Sequence, residues 1–279
     1  VWHQPCALFH HSDNALREAS RPEGGAFANM KKILLQLSYL GGAYAGFQVQ
    51  KNAKTIQSAL MCAAEKIFTR PCTVTGCSRT DSGVHALEYY VTVATFDGAS
   101  NISAENLPRA MMANLPEDIS VISAMNVSDD FSVRRAVSGK RYMYLLDTNC
   151  CRDPFLVGRV WHYRKRIDIQ KINSAAERFL GRHDFTSFMA SGSEITDAVR
   201  CITECRAVEC ENGIVKIFVA ADGFLYNMVR IIVGTFMYVN EGKLSVDDID
   251  RIINAKDRTL AGKTAPPDGL YLEKVFTDI

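Results

Sequence analysis

Residues 76–88, Gly76-Cys77-Ser78-Arg79-Thr80-Asp81-Ser82-Gly83-Val84-His85-Ala86-Leu87-Glu88, place an arginine, a threonine, an aspartate and a histidine within seven positions. Asp81 is an acceptor-only carboxylate at neutral pH, and it becomes a nucleophile when held dry beside a cation. Arg79, two residues earlier, is able to pair with it in a tight turn or to turn away and grip a phosphate in bidentate fashion. Gly76 and Gly83 allow left-handed backbone and close approach by a ligand. The competing reading is an Asx-type turn with a surface ion pair. His85 divides the same way, between ordering the loop by hydrogen bonds and touching a substrate.

A second concentration of chemistry follows. Residues 134–166 carry nine basic side chains, including Arg134, Lys140, Arg152 and Arg164, opposed within the stretch by Asp147 and Asp153 alone. Tyr142, Tyr144, Phe155, Trp161 and Tyr163 lie among them. Such a stretch is either a solvated strand edge with its aromatics in the core, or a surface that tracks the phosphates of a nucleic acid. The net charge of +1 over the chain decides neither way.

The elements that must position these groups can be read from periodicity. Composition (47% hydrophobic, 23% charged over 279 residues) fits a globular chain with a full core. No apolar run approaches the roughly 20 residues of a membrane span. Nine cysteines contain no Cys-x-x-Cys pair, and Cys201, Cys205 and Cys210 have no nearby histidine to complete a metal set, so no metal site is expected. Residues 1–29 show no sustained period and read as an extension with little structure; acidic Asp13, Glu18 and Glu23 argue against a transit peptide.

From there the pattern predicts strands at 32–40, 72–75, 89–96 and 120–127, with helices capped at Thr55 and spanning 103–113. In the second half it predicts strands at 141–147, 203–209 and 215–221. Helices follow at 168–180 and 224–240, and from Ser245, whose spacing to Asp248 suits a capping box. This mixture favours an α+β fold: two similar α/β halves, residues 30–130 and 131–279, with mixed, mainly antiparallel sheets flanking a central basic cleft.

The string Arg79-Thr80-Asp81-Ser82-Gly83-Val84-His85-Ala86 closely resembles the Arg-Thr-Asp-x-Gly-Val-His-Ala signature of the TruA family of tRNA pseudouridine synthases. Further stretches match in order. Tyr39-Leu40-Gly41 through Gly46-Phe47-Gln48-Val49-Gln50 resembles the family's opening motif, with Phe47 for tryptophan and Leu40 for aspartate. Lys140-Arg141-Tyr142-Met143-Tyr144, His183-Asp184-Phe185, Phe224-Leu225-Tyr226-Asn227-Met228-Val229-Arg230 and Ala265-Pro266-Pro267-Asp268-Gly269-Leu270 match later family motifs.

The resemblance implies isomerisation of tRNA uridines, most simply in the anticodon stem-loop, without a cofactor. Other tRNA sites, small nuclear RNA and a non-catalytic RNA-binding homologue are the alternatives. It implies Asp81 as the catalytic aspartate, Tyr142 as the ring stacked on the base, and Arg230 as the cation paired with Asp81. Arg79 would fill the space of the flipped base, and His85, Arg134 and Lys140 would contact the substrate. The residues are equally compatible with attack on ribose C1′, attack on uracil C6 or deprotonation at C2′. An intracellular protein follows, in the cytoplasm with nucleus or mitochondrion as alternatives, and a homodimer is allowed. The rival chemistry, hydrolysis of a nucleoside, sets two carboxylates a defined distance apart, and no second acid stands out in sequence near Asp81.

Overall fold

The computed structural model describes residues 31–95, 102–192 and 195–277; the 1–29 extension lies outside them. In chain order the elements are β1 (Lys31–Tyr39), α1 (Ile56–Phe68), β2 (Cys72–Gly76), β3 (His85–Thr95), α2 (Leu107–Met112), β4 (Ile119–Val127) and β5 (Val137–Asp147). They continue with β6 (Trp161–His162), α3 (Ile169–Glu177), β7 (Gly181–Asp184), β8 (Val199–Glu209), β9 (Ile214–Ala221), α4 (Met228–Asn240), α5 (Asp248–Ala255) and β10 (Leu270–Thr277). Among the described residues the ten strands form one sheet in the order β4-β1-β3-β10-β5-β9-β8-β7, with β2 pairing to β3 and β6 to β5. The fold is mixed α/β and mostly antiparallel; β3–β10 and β5–β6 are parallel.

Local signals account for most boundaries. Thr55 and Ser58 form a reciprocal capping box at the start of α1, and Ser245 exchanges hydrogen bonds with Asp248 at the start of α5. Ile33, Leu35, Leu37 and Tyr39 of β1 face the core as alternation predicts, and Leu34 is buried too, in a strand flanked by β3 and β4, while Lys32, Gln36 and Ser38 on its face stay half-buried. The long apolar helix expected from residue 224 starts four residues later. Asn227 takes a left-handed conformation (φ 59°) at its N-cap, and the released Phe224 turns its edge to the Tyr142 ring, 4.9 Å away.

Periodicity assigns no strand to residues 270–277, yet β10 is the seam of the sheet. It lies between β3 and β5, and its Leu272 is registered with both Ala86 and Tyr142. The histidine of the opening loop holds this seam. His85 Nδ1 accepts the Gly41 N–H at 3.0 Å, so its Nε2 carries the proton and donates to the Asp268 carbonyl at 3.1 Å. The ring stacks on Tyr271 at 4.6 Å, is 1% exposed, and is held neutral because burial lowers its pKa.

His85→Ala should strip partners from two buried backbone groups and cost about 2–4 kcal/mol in urea unfolding at pH 8. Because the folded state disfavours the imidazolium, wild-type stability should be complete above about pH 6.5 and decline as the pH falls below it. His85→Gln should flatten that decline.

Candidate active site

The turn carrying Asp81 is held from below by the 39–47 segment. The Tyr39 hydroxyl bonds the buried Thr80 hydroxyl at 2.8 Å. The Phe47 N–H donates to the Thr80 carbonyl at 3.2 Å, and the Gly83 N–H donates to the Tyr44 carbonyl at 3.2 Å. Gly46 makes this approach possible: its φ is +91°, and a Cβ there would lie 2.6 Å from the Thr80 oxygen. The Phe47 ring stacks on Tyr89 at 4.7 Å, whose hydroxyl donates to the Ser78 carbonyl. Two stretches that look like independent motifs in sequence are therefore one object, a cradle and the turn it supports. Of the two loop glycines, Gly83 has the positive φ that the sequence suggests, whereas Gly76 ends β2 in extended backbone.

Above the turn opens a cavity of about 1020 Å³, lined by residues from 45–84, by Lys140 and Tyr142, by 224–229 and by Leu270. Lys140 and Tyr142 reach it together because they stand two apart on β5 and share a face. Tyr142 is 7% exposed and forms part of the wall. Arg79 is exposed at the rim. Among the described residues lining the cavity, Asp81 is the only carboxylate.

Burial raises the Asp81 pKa above the ordinary carboxylate range, and the nearby Arg230 charge opposes this. The two groups do not form the ion pair that the sequence implies. Among the described residues no ion pair or hydrogen bond reaches the Asp81 carboxylate. Arg230 donates from Nε to the Ala265 carbonyl at 2.7 Å and from Nη1 to Asn227 Oδ1 at 2.7 Å. Its positive charge acts on Asp81 through the field of the site. Burial likewise lowers the Lys140 pKa and pushes that of Tyr142 upward, with the Asp81 charge adding to the rise.

Two other expected contacts sit differently. His85 belongs to the β3–β10 seam and does not line the cavity. Arg134 is exposed and donates to the Gly76 carbonyl at 3.3 Å, bracing the strand that leads into the turn. The basic stretch is also less free than its sequence suggests. Arg141 is paired with Glu273 at 2.5 Å and Glu204 at 3.5 Å, and Lys165 with Glu241 at 3.0 Å, all three acids lying outside 134–166. Asn227, which lines the cavity and anchors Arg230, was not singled out by sequence reasoning; its sign is a non-glycine residue at positive φ just before a helix.

Among the described residues no group of three or more histidine, cysteine or acidic side chains could hold a metal ion, and no helix is long and apolar enough to cross a membrane.

Titrating the Asp81 carboxyl by carbon-13 NMR should give a midpoint above the ordinary value of about 3.9. Arg230→Gln removes the charge that favours the ionised form, so the midpoint should move higher still. A midpoint that stays put would mean that Arg230 does not act on Asp81.

A model of the tRNA pseudouridine synthase family matches residues 37–134 and 175–278, the two segments that supply most of the cradle, the turn and the cavity wall. The chain is 42% identical over 247 residues to tRNA pseudouridine synthase A of Thermoanaerobacter sp. (strain X514), covering 88% of this chain and 100% of the relative. It is equally similar to the protein of that name from Acetivibrio thermocellus, at 42% over 247 residues with the same coverage. The protein of that name from Caldicellulosiruptor saccharolyticus is 43% identical over 246 residues, covering 88% of this chain and 99% of its own. With a half-buried aspartate under a cation's field, the one carboxylate among the described residues of the cavity, a tyrosine wall and matches of this extent, the chain belongs to the tRNA pseudouridine synthase family.

Proposed function

We propose that the Asp81 cavity isomerises uridines of tRNA to pseudouridine, in the anticodon stem-loop, with Asp81 as the nucleophile. The observation that carries this reading is that Asp81 is the one carboxylate among the described residues lining a cavity of about 1020 Å³, and that it shares the wall with Tyr142, Lys140, Arg79 and uncharged polar and apolar groups. In the reaction the C1′–N1 bond breaks and a C1′–C5 bond forms; the C5 hydrogen leaves as a proton and N1 gains one. No atom is gained or lost, so neither an oxidant nor a second carboxylate to activate water is required, in contrast to glycoside hydrolysis.

Each group has a part in that sequence. Asp81 is partly stripped of water, which raises its reactivity, while Arg230 favours the ionised form. Tyr142 offers its ring to the extruded base, an interaction worth roughly 1–3 kcal/mol. Arg79 at the rim is placed to enter the space the base leaves, and Lys140 to meet a phosphate. The choice of tRNA is supported by near full-length similarity to relatives named tRNA pseudouridine synthase A. A homodimer in the cytoplasm belongs to the same reading. Ile122 and Met125, 53% and 50% exposed on the edge strand β4, offer an apolar face for a second copy.

Asp81→Ala should lower pseudouridine formation in a tRNA transcript by about 10³-fold or more while leaving tRNA retention in gel-shift assays largely intact. The wild-type product should keep the mass of the substrate, with no free uracil. Release of uracil, or an active Asp81→Ala protein, would sink the assignment.

A further inference from the structure

A second cavity, of about 340 Å³, is lined by Asp147, Arg152, Trp161, Arg164, Pro266 and Asp268, among others. Asp147 closes β5 and is 1% exposed. Its Oδ1 accepts the Asn149 backbone N–H at 3.0 Å and the Asn149 side-chain amide at 2.8 Å. Its Oδ2 is buried and has no hydrogen-bond partner among the described residues. An acceptor taken out of water without a donor forfeits its hydration, so this oxygen calls for an N–H or O–H group from outside the chain.

The rest of the cavity narrows the choice of ligand. Arg152 and Arg164 are exposed, and neither is among the described ion pairs. Trp161 supplies an aromatic wall, and Phe155, on the Pro154–Leu156 turn beside it, is 82% exposed. Asp153 and Asp268 also line the cavity, and the Asp153 carboxylate accepts the Phe155 N–H; the buried acceptor, aromatic surface and two guanidinium groups together match a nucleotide: an amino-bearing base, its π-face and its phosphate. The volume lies within the usual range for a small-ligand pocket, about 300–1,000 Å³.

The cavity also shares a wall with the first. Leu270 lines the Asp81 cavity, while Pro266 and Asp268 of the same segment line this one. That segment receives the Arg230 and His85 hydrogen bonds through the carbonyls of Ala265 and Asp268.

We infer that this cavity binds a second nucleotide of the tRNA, one whose base carries an exocyclic amino group, with that group donating to Asp147 Oδ2 and Arg152 and Arg164 gripping its phosphate. The inference rests on the tRNA reading above. Cytosine presents an amino donor where uracil presents a carbonyl oxygen, and an oxygen facing the carboxylate is repelled. The site therefore discriminates by base and differs in this from a surface that only tracks phosphates.

The test is calorimetric titration of cytidine 5′-monophosphate and uridine 5′-monophosphate into wild type, Asp147→Asn, Asp81→Ala and the double variant Arg152→Ala/Arg164→Ala. Wild type and Asp81→Ala should bind the cytidine nucleotide about 10-fold more tightly than the uridine one. Asp147→Asn, which puts an amide donor where the acceptor was, should erase the preference. The double variant should weaken both nucleotides equally. With intact tRNA, Asp147→Asn should raise KM about 5- to 30-fold and leave kcat unchanged. Equal binding of the two nucleotides, absence of saturable binding or a preference that survives in Asp147→Asn would each overturn the inference. If Asp147→Asn does not fold, the wild-type preference and the exposed double variant decide the matter. A wild type that makes no pseudouridine overturns the tRNA reading instead, and the titrations report on Asp147 independently of that result.

Discussion

The arrangement depends on a strand from the far end of the chain entering the sheet between β3 and β5. Without β10, the turn that carries Asp81 and the strand that carries Tyr142 have no common frame. Leu272 is registered with Ala86 on one side and Tyr142 on the other, which sets the two neighbours about two strand spacings apart, roughly 10 Å. The parallel contact of β10 with β3 is short, two registered residues. His85 compensates by tying the start of β3 to Gly41 and Asp268 through one buried, neutral imidazole. A histidine that the signature leaves between ordering the loop and touching a substrate is, in the folded chain, the fastener of the seam.

From that seam the electrostatics follow. α4 is hydrogen-bonded to the segment leading into β10 through backbone and side chain at once: the Ala265 N–H donates to the Arg230 carbonyl, and the Arg230 guanidinium donates to the Ala265 carbonyl. Arg230 is thus fixed before any substrate arrives, with Asn227 as its second anchor. Its charge works on Asp81 without neutralising it by contact, leaving the carboxylate free to meet a ligand. Burial and the guanidinium pull the Asp81 pKa in opposite directions, and burial prevails.

The cradle shows what a local motif means physically. Gly46 and Phe47 belong to the site because they let the backbone at Thr80 sit against them, and Phe47 serves in the position of the family's tryptophan by stacking on Tyr89. The basic stretch teaches the reverse lesson. Its excess of positive charge within the window is real, but Glu204, Glu241 and Glu273 arrive from elsewhere and occupy Arg141 and Lys165. Tyr144 and Tyr163 go to the core, and of the interleaved aromatics Tyr142 reaches the Asp81 cavity while Trp161 lines the second one.

Much was legible in the chain alone. Apolar alternation and capping pairs mark β1, α1, β9 and α5, because these signals involve residues a few positions apart. The eight-residue signature identified the family and marked out the turn that carries Asp81, because its residues are contiguous and their spacing is the turn itself. What the fold alone decided are the long-range relations: β10 as the seam, Phe224 freed from its helix by Asn227, and Arg230 held by backbone carbonyl and amide instead of by Asp81. The division has one cause. Propensity and periodicity act along the chain, whereas desolvation, ion pairing and strand partnership depend on which distant groups packing brings within a few ångströms.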